Sequence, residues 1–438
     1  MAAAVGKIGL REVRALAPHS ELFDGPGGLP GFGVRRRSGP GVSYFVMFRT
    51  AEARQRRFTI GTHGAPWTPE TARAKARTIL AEAAGGADPA AAKREAREAP
   101  TIKELCESYM RAAKAGRLPT RRGGTKKAST LATDQSRIDA HILPLLGHRK
   151  ARSVTTSDLE SFMYAVADGK THRREKLEKA HAFRNVRGGM GTASRTIGLL
   201  GAVFAYGVKV GICPDNPARG VLRPADGKRK RRLSDDEYRR LHDGLVAASE
   251  AGMWPHAVAA ARFLALTGWR SGEAINLRWR DLHLEWRTAL LPDTKTGFSM
   301  RPLSRRACEV LAAQKAATGG EPEALVFPPS RGETTMTGFK KFMARIVKLG
   351  GLPPDVTAHV LRHSFASVAG SDLKMGELTV GAMIGHQTRG GGVTPDYIHH
   401  ADDVLLAAAD KVADETARRM DPAANSGAEI IQLHAAGA

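Results

Sequence analysis

Near its N-terminus the chain alternates apolar and polar residues with a period of two, the pattern typical of half-buried strands. The alternating stretches, which turn-forming residues separate, are Phe32–Arg37, Val42–Arg49 and Gln55–Ile60. A helix is predicted to follow, because Thr68 can cap it, Pro69 suits its first turn and apolar residues recur at helical spacing up to Gly85. Residues 1–30 end in a Gly/Pro-rich stretch and are predicted to be irregular.

The pattern then changes to a helical period. A capping box formed by Thr101 and Glu104 opens the first helix of this region. Three more helices are predicted at about 129–142, 156–166 and 192–210. Residues 86–100 are predicted to be a partly helical linker, and the charge-rich stretch 168–191 a mobile loop or a helix extension.

In the second half of the chain, alternation from Leu282 to Leu291, the turn D-T-K-T-G and a second apolar run predict a β-hairpin with Lys295 near its tip. Helices are predicted at about 304–317, 337–349, 357–369, 377–384 and 401–419. The fold class that follows is a multidomain, mainly α protein with small β-sheets. Its predicted parts are an N-terminal three-stranded sheet plus helix (1–90), a helical domain (91–225), a mixed α+β domain (226–420) and a tail (421–438).

The charge balance indicates the kind of partner that this chain has. Its 438 residues carry 67 Lys plus Arg against 44 Asp plus Glu, a net charge of +23. Such an excess on a chain with 42% hydrophobic residues favours a folded protein that binds a polyanion, most often nucleic acid. A solvated basic surface is the ordinary alternative. The basic side chains predicted to contact DNA are Arg35, Arg37, Arg49, Arg56, Lys126, Lys127, Lys228, Arg229, Lys230 and Arg231.

Cysteine spacing and hydropathy bear on the compartment. Cys106, Cys213 and Cys308 stand far apart, which argues against a disulfide framework and against a cysteine-based zinc site. No apolar run reaches the length of a membrane span, and the N-terminus lacks the basic-then-apolar pattern of a signal peptide. The chain is therefore expected to be cytoplasmic, with no membrane partner.

Candidate chemistry concentrates in the C-terminal half. His359 and Arg362 are three residues apart, so on a helix they share a face and can grip one phosphate. Arg270 lies at a predicted turn between two helices and can donate a second bidentate fork to the same phosphate. Tyr397 follows the M-I-G-H stretch that holds His386, and a phenol near cationic groups can attack phosphorus. Each piece alone is more often ordinary packing, but their order along the chain favours a site.

That order, Arg, Lys, His-x-x-Arg, Gly-His, Tyr, resembles the tyrosine recombinases, phage-type integrases in particular. The six catalytic positions that the resemblance indicates are Arg270, Lys295, His359, Arg362, His386 and Tyr397. It implies that the arginines clamp a DNA phosphate while the histidines add hydrogen bonds to it. The lysine would protonate the leaving 5′ oxygen, and the tyrosine would form a 3′-phosphotyrosyl link without metal, cofactor or ATP.

The same resemblance implies a domain plan and a set of partners. The sheet domain would be an arm-type DNA-binding domain, and the helical domain a core-binding domain. The chain would act on double-stranded DNA attachment sites as a homotetramer in the synaptic complex, on the bacterial nucleoid. A directionality factor and a DNA-bending host protein would be further partners. The C-terminal segment, the last helix with the tail, would link neighbouring protomers; the alternative is a tail that folds back on its own domain or stays disordered.

Some features leave alternatives open. The gap between the Gly-His and the tyrosine is longer than relatives usually have, and it holds Gly390–Gly392. Glu273 is expected to orient a guanidinium, and His363 to point off the face that holds His359. Two other functions remain: a catalytically silent DNA-binding regulator on the same fold, and a type IB topoisomerase-like enzyme.

Overall fold

The computed structural model describes residues 4–120, 123–176, 183–224, 231–294, 297–332, 334–385 and 403–421. The chain divides into two compact units, Met1–Asp226 and Gly227–Ala438, called here the N-terminal and C-terminal units. Most of the described chain is helical, and small β-sheets occur in both units. Of the helices in these ranges, none is long and apolar enough to cross a membrane.

The N-terminal unit begins with a five-stranded sheet in the order β1-β2-β3-β4-β5. Its strands are β1 (Ala4–Gly6), β2 (Ser20–Asp24), β3 (Phe32–Arg36), β4 (Val42–Arg49) and β5 (Gln55–Thr62). β1 and β2 run parallel, with the short helix α1 (Leu10–Ala15) between them, and the other neighbours are antiparallel. The three predicted strands are confirmed, but the prediction of a three-stranded sheet after an irregular start is wrong.

The two missed strands depend on tertiary contacts rather than on a local pattern. β1 has three residues, and every residue of β2 is partly buried, so neither strand alternates. The Asp24 carboxylate at the end of β2 accepts hydrogen bonds from the backbone N–H groups of Ile8 and Leu29 and from the Arg73 side chain. This carboxylate therefore ties the start of the chain to the helix that covers the sheet, α2 (Pro69–Ala84).

α2 packs on one face of the sheet, as its apolar stripe predicts. The core between them includes Phe32, Val34, Tyr44, Val46, Ala72, Ala76 and Ile79. The predicted partly helical linker contains the helix α3 (Pro89–Glu98), which lies against β5 and so belongs with the sheet. Its N-cap, Asp88, accepts a hydrogen bond from Arg56 Nε at 3.1 Å, and Lys93 Nζ donates to the carbonyl of Thr59 at 2.6 Å.

The remainder of the N-terminal unit is mainly helical, with α4 (Ile102–Lys114), α5 (Ala128–Arg137), α6 (Leu143–Leu146), α7 (Thr156–Ala167) and α8 (Met190–Lys209). A π-helical turn, Ile138–Ile142, joins α5 to α6. In the stretch 168–191, β6 (Arg173–Lys176) and β7 (Phe183–Val186) pair as the strands of an antiparallel hairpin, so the prediction of a loop or helix extension is wrong for these residues. Both faces of this hairpin carry charged side chains, so its sequence shows no apolar alternation.

The C-terminal unit packs its helices around one hydrophobic core. Its described helices are α9 (Asp235–Glu250), α10 (Pro255–Thr267), α11 (Ser271–Ile275), α12 (Arg305–Thr318), α13 (Phe339–Leu349), α14 (Ala358–Ser367), α15 (Glu377–Ile384) and α16 (Asp403–Met420). A sheet in the order β10-β9-β8 comprises β8 (Leu282–His283), β9 (Thr288–Thr294) and β10 (Gly297–Pro302). The predicted hairpin is confirmed as β9 and β10. The alternation that starts at Leu282 splits into two strands, because the chain turns at Arg287, whose φ is 49°.

Helix α16 packs on its own unit. Its Ala408 and Val412 belong to the hydrophobic core. The buried carboxylate of Asp410 accepts two hydrogen bonds from Arg287 Nη1 and one from the backbone N–H of Arg305, each at 2.8 Å. These contacts hold α16 itself on its own unit, and the linking of neighbouring protomers by the C-terminal segment stays a prediction. The tail after it lies outside the described residues.

Candidate functional site

Arg270 is placed by a sharp turn between two helices. α10 ends at Gly268, whose φ of 62° is in the left-handed region. A Cβ at this position would meet ring atoms of Phe365, on α14, at 2.7 Å. The close approach of α10 to α14 therefore requires glycine here. The chain then turns, and Arg270 becomes the N-cap of the short helix α11. The prediction that Arg270 lies at a turn between helices is confirmed.

Glu273, on α11, holds the Arg270 side chain in place. Arg270 Nη1 donates to Glu273 Oε1 at 2.7 Å, and the backbone N–H of Arg270 donates to Oε2 at 3.1 Å. The Glu273 side chain is 8% exposed and that of Arg270 25% exposed, so the carboxylate is covered while the guanidinium reaches the surface. The expectation that Glu273 orients a guanidinium is confirmed.

Arg362 is brought to the same turn from α14. Its Nη1 donates to the carbonyl of Gly268 at 3.0 Å, two residues before Arg270. Burial is the main cause that lowers the pKa of Arg362 to about 10, and the positive charge of Arg270 contributes to this shift. Its Nη2 is buried and has no hydrogen-bond partner in the described part of the chain. Two arginines far apart in sequence thus have one donor-rich site in common.

A third arginine, Arg301 on β10, joins this cluster and was not predicted. Its side chain is fully enclosed, and its Nη2 lies 3.3 Å from Glu273 Oε1. Burial is the main reason that the pKa of this guanidinium falls to about 10. Nε and Nη1 are buried without a hydrogen-bond partner among the residues described. One carboxylate therefore faces three guanidinium groups, which leaves the cluster positively charged and suited to an anion.

Arg301 also determines which residue can follow α15. A Cβ on Gly385 would overlap the Arg301 guanidinium, so any other residue here would require that side chain to move. Gly385 has a φ of 66° and directly precedes His386. The only sequence signal for Arg301 is its register opposite Ala289 in the β9–β10 hairpin, which points it inward, and the sequence alone does not fix that register.

His359 and His363 form a pair one helical turn apart on α14. Their Nε2 atoms are 3.0 Å apart and their ring centroids 4.4 Å apart. His359 is exposed and His363 half-buried. The expectation that His363 points off the face of His359 is wrong, because residues four apart on a helix lie one above the other. The other three predicted catalytic residues, Lys295, His386 and Tyr397, lie outside the described residues.

Two protein-family models match parts of this chain, and one of them includes the arginine cluster. Residues 231–402 match the Phage integrase family, and residues 8–96 match the Arm DNA-binding domain. Residues 231–402 are therefore a region of the phage integrase family. The first match contains the whole arginine cluster, and the second contains the five-stranded sheet from β2 onward together with α2.

Two curated relatives match part of this chain. The Shufflon-specific DNA recombinase of Escherichia coli is 31% identical over 201 residues, which are 45% of this chain and 48% of that protein. A Putative integrase/recombinase of Haemophilus influenzae (strain ATCC 51907 / DSM 11121 / KW20 / Rd) is 29% identical over 133 residues, 28% of this chain and 42% of that protein. The chain thus spans less than half the length of the curated relatives that it matches.

Two solved structures have a similar fold over most of the chain. A lambda integrase dimer bound to a COC′ core site has a TM-score of 0.53 at 19% identity, over 88% of this chain and 96% of that one. A lambda integrase tetramer bound to a Holliday junction has a TM-score of 0.53 at 18% identity, over 84% of this chain and 98% of that one. At these identities the likeness concerns the fold alone.

The predicted DNA-contact residues differ in what they touch. Several are engaged within the protein: Arg35 lies 4.0 Å from Glu21, Arg56 3.1 Å from Asp88, Lys126 2.7 Å from Asp134 and Arg231 2.8 Å from Glu237. Arg37, Arg49 and Lys127 are exposed. Lys228, Arg229 and Lys230 lie outside the described residues. The engaged side chains stabilise the fold where they stand, and Arg37 and Arg49 are therefore the better candidates.

Proposed function

We propose that this chain is a site-specific DNA recombinase, the integrase of a mobile element. It would cut and rejoin double-stranded DNA through a 3′-phosphotyrosyl link, without metal, cofactor or ATP. The observation that carries the proposal is the hydrogen bond from Arg362 Nη1 to the carbonyl of Gly268, which brings Arg362 beside Arg270. The two arginines belong to different parts of the predicted motif, and their meeting at one turn supports a shared phosphate.

The arginine cluster suits the charge that develops on a phosphodiester during cleavage. Arg362 has a buried Nη2 without a partner in the described chain, and Arg270 reaches the surface from a carboxylate that fixes it. Donors held in place before the reaction stabilise the non-bridging oxygens with little reorganisation, and each is worth roughly 10²–10³ in rate. Since this charge is met by guanidinium groups, the chemical step should proceed in EDTA.

The other roles are assigned from the family motif. Tyr397 would attack phosphorus, and Lys295 would protonate the leaving 5′ oxygen. His359 and His386 would hydrogen-bond the phosphate and help to take the phenol proton. His363 would steady His359 through the 3.0 Å contact between their Nε2 atoms. The 5′-hydroxyl of a partner strand would then reverse the first step.

The proposed organisation follows the two family matches. An arm-type domain, which includes α3 and ends near residue 98, would be followed by a core-binding domain to about residue 225 and a catalytic domain to about residue 420, with a tail after it. Arg37 and Arg49 would be arm contacts. By analogy with the lambda integrase tetramer on a Holliday junction, four protomers would assemble on DNA attachment sites in the bacterial cytoplasm. A directionality factor and a DNA-bending host protein would be further partners.

A covalent-adduct assay tests this function. The protein is incubated in EDTA with nicked duplexes that span the ends of the element carrying its gene, and the adduct is resolved under denaturing conditions. Wild type should form the adduct, and Tyr397→Phe should not, although its affinity for DNA should stay near that of wild type because binding rests on phosphate contacts. Tyr164→Phe, at an exposed tyrosine on α7, is the matched control.

The adduct assay, together with a plasmid-relaxation assay, distinguishes the recombinase from the two alternative functions. A silent regulator would bind the duplex and give no adduct with wild type. A topoisomerase-like enzyme would relax supercoiled plasmids that lack the ends of the element. An adduct that persists in Tyr397→Phe would remove that tyrosine as the nucleophile, and a strict need for magnesium in cleavage would overturn the mechanism.

A further inference from the structure

The β6–β7 hairpin of the N-terminal unit has two chemically different faces. Burial alternates along both strands, so that Arg173, Glu175, Arg184 and Val186 face the protein. The intervening residues, and one on either side, are exposed: His172, Arg174, Lys176, Phe183, Asn185 and Arg187. The cross-strand pairs Arg174–Asn185 and Lys176–Phe183 place these side chains together on the outer face.

The inner face fixes the hairpin to α5 and the π-helical turn. Arg173 Nη1 donates to the carbonyl of Ala140 at 2.9 Å, and Arg184 Nη2 donates to the carbonyl of Ser136 at 3.0 Å. A π-helical turn breaks the regular pattern of backbone bonds, and these guanidinium groups supply donors there. Glu175 accepts from Arg173 Nε at 2.6 Å, which balances part of the charge. The inner arginines therefore have a structural role.

The outer face has no such balance. None of its six side chains is acidic, and three of them, Arg174, Lys176 and Arg187, are permanently positive. No ion pair involves these three within the part of the chain that the structure describes. The Arg174 guanidinium lies 4.0 Å from the centroid of the exposed Phe183 ring, which restricts it to the outer face. Like charges held together weaken a folded chain by repulsion, so such a face favours an anionic partner.

We propose that the outer face of the β6–β7 hairpin binds double-stranded DNA, with Arg174, Lys176 and Arg187 on backbone phosphates. The proposal rests on the proposed function and adds a contact element that the six catalytic positions and the arm sheet do not include. A two-stranded ribbon fits the major groove, which is about 12 Å wide. Side chains two residues apart on a strand repeat about every 6.6 Å, so successive cations can follow the closely spaced phosphates.

The test compares two charge-matched triple variants of the full chain. In one, Arg174→Gln, Lys176→Gln and Arg187→Gln remove the outer cations. In the other, Lys75→Gln, Arg77→Gln and Arg94→Gln remove three exposed cations from α2 and α3. The dissociation constant for a core-site duplex without arm sites is measured against salt concentration, and thermal melting checks that both variants fold.

The hairpin variant should bind the duplex at least about tenfold more weakly, and the slope of log K against log salt should fall by roughly 0.9 for each phosphate that the variant no longer neutralises. The control should change affinity by less than about twofold. Equal behaviour of the two variants would overturn the proposal. So would a hairpin variant that binds DNA normally as a monomer but fails to assemble, because its partner would then be protein. If wild type itself does not bind the duplex, the proposed function fails as well.

Discussion

The enclosed guanidinium of Arg301 lies 3.3 Å, through its Nη2, from Oε1 of Glu273. The same oxygen accepts Arg270 Nη1 at 2.7 Å. The Glu273 carboxylate thus links two arginines. Solvent cannot reach the guanidinium of Arg301, whereas that of Arg270 reaches the surface. Glu273 consequently has two functions: it keeps a buried cation compensated, and it orients the proposed phosphate clamp.

Glu273→Gln should therefore affect both stability and activity. Removing one partner of a buried ion pair leaves the other uncompensated, and the expected fall in the free energy of unfolding is about 3–5 kcal/mol. Urea unfolding measures it, with Glu250→Gln at an exposed carboxylate of α9 as the control. Adding Arg301→Met to Glu273→Gln should restore most of the loss, because the buried charge is then gone. If the double variant is less stable than Glu273→Gln alone, Arg301 contributes chiefly through packing.

The arginine cluster marks the limit of what sequence can predict here. The order of Arg270, Arg362 and the remaining motif residues was visible, because each lies in a short run with its own local context. Arg301 lies in M-R-P-L, where only the strand register turns it inward. Its Glu273 partner is 28 residues away in sequence, so the pair is a product of the fold.

Arg270→Ala and Arg362→Ala should each slow DNA cleavage by at least about 100-fold, since each removes a positioned donor from the phosphate. The rate of adduct formation on a nicked core site is the measurement. Arg262→Ala, at an exposed arginine of α10, controls for the loss of one positive charge. Because Arg362 is buried, its variant must also melt cooperatively, and Arg362→Lys should keep the fold while losing the bidentate geometry. Cleavage by Arg270→Ala within a factor of about two of the control would exclude it from the clamp.

Arg231 should contribute to stability in a way that depends on pH. Its Nη1 donates to Glu237 Oε2 at 2.8 Å, and this contact is the main cause that lowers the pKa of Glu237 from 4.5 to about 2. A carboxylate with a depressed pKa stabilises the fold above its unfolded pKa, and the effect is lost as pH falls through the folded pKa. The stability difference between wild type and Arg231→Gln should therefore shrink as pH falls from about 5 to about 2.

Chemical unfolding across that pH range measures the difference, and Arg239→Gln on the exposed side of α9 is the control. A constant difference would show that Glu237 does not respond to Arg231. The sequence predicts Arg231 as a DNA contact because it belongs to the basic run K-R-K-R-R at 228–232. That run cannot reveal Glu237 and Asp355, which hold the side chain in the folded protein.

The arm sheet shows the same limit. The stretch from Arg54 to Ile60 contains no acid, so the local sequence shows no ion-pair partner for its arginines. In the fold, Arg57 donates through both terminal nitrogens to Glu21, at 2.7 and 2.9 Å, and Glu21 lies on the strand that the sequence did not predict. The three predicted strands and α2 are visible in the sequence from the spacing of apolar residues and from the helix cap. The acidic partner of Arg57 lies on β2, which has no alternating pattern of apolar residues.

The boundary after the arm domain leads to the last prediction. α3 belongs with the sheet, through Arg56 to Asp88 and Lys93 to the Thr59 carbonyl. The next residues belong with the helical region, because Lys150 Nζ donates to the carbonyl of Ala99 at 2.7 Å and the N–H of Ala151 to the carbonyl of Pro100 at 2.9 Å. Deleting residues 1–98 should therefore remove the whole arm domain, including α3, and leave the contacts of the helical region intact.

The truncated protein should cleave a nicked core site at nearly the wild-type rate and recombine full attachment sites poorly. The arm would hold a second DNA site and so raise the effective concentration of the core-binding part at its target. Deleting residues 1–90 is the informative comparison, since it leaves 91–98 without the sheet that α3 packs on and should lower solubility with no gain in activity. Recombination at the wild-type rate by the 1–98 deletion, on full sites and at limiting protein, would show that the arm sheet has another role.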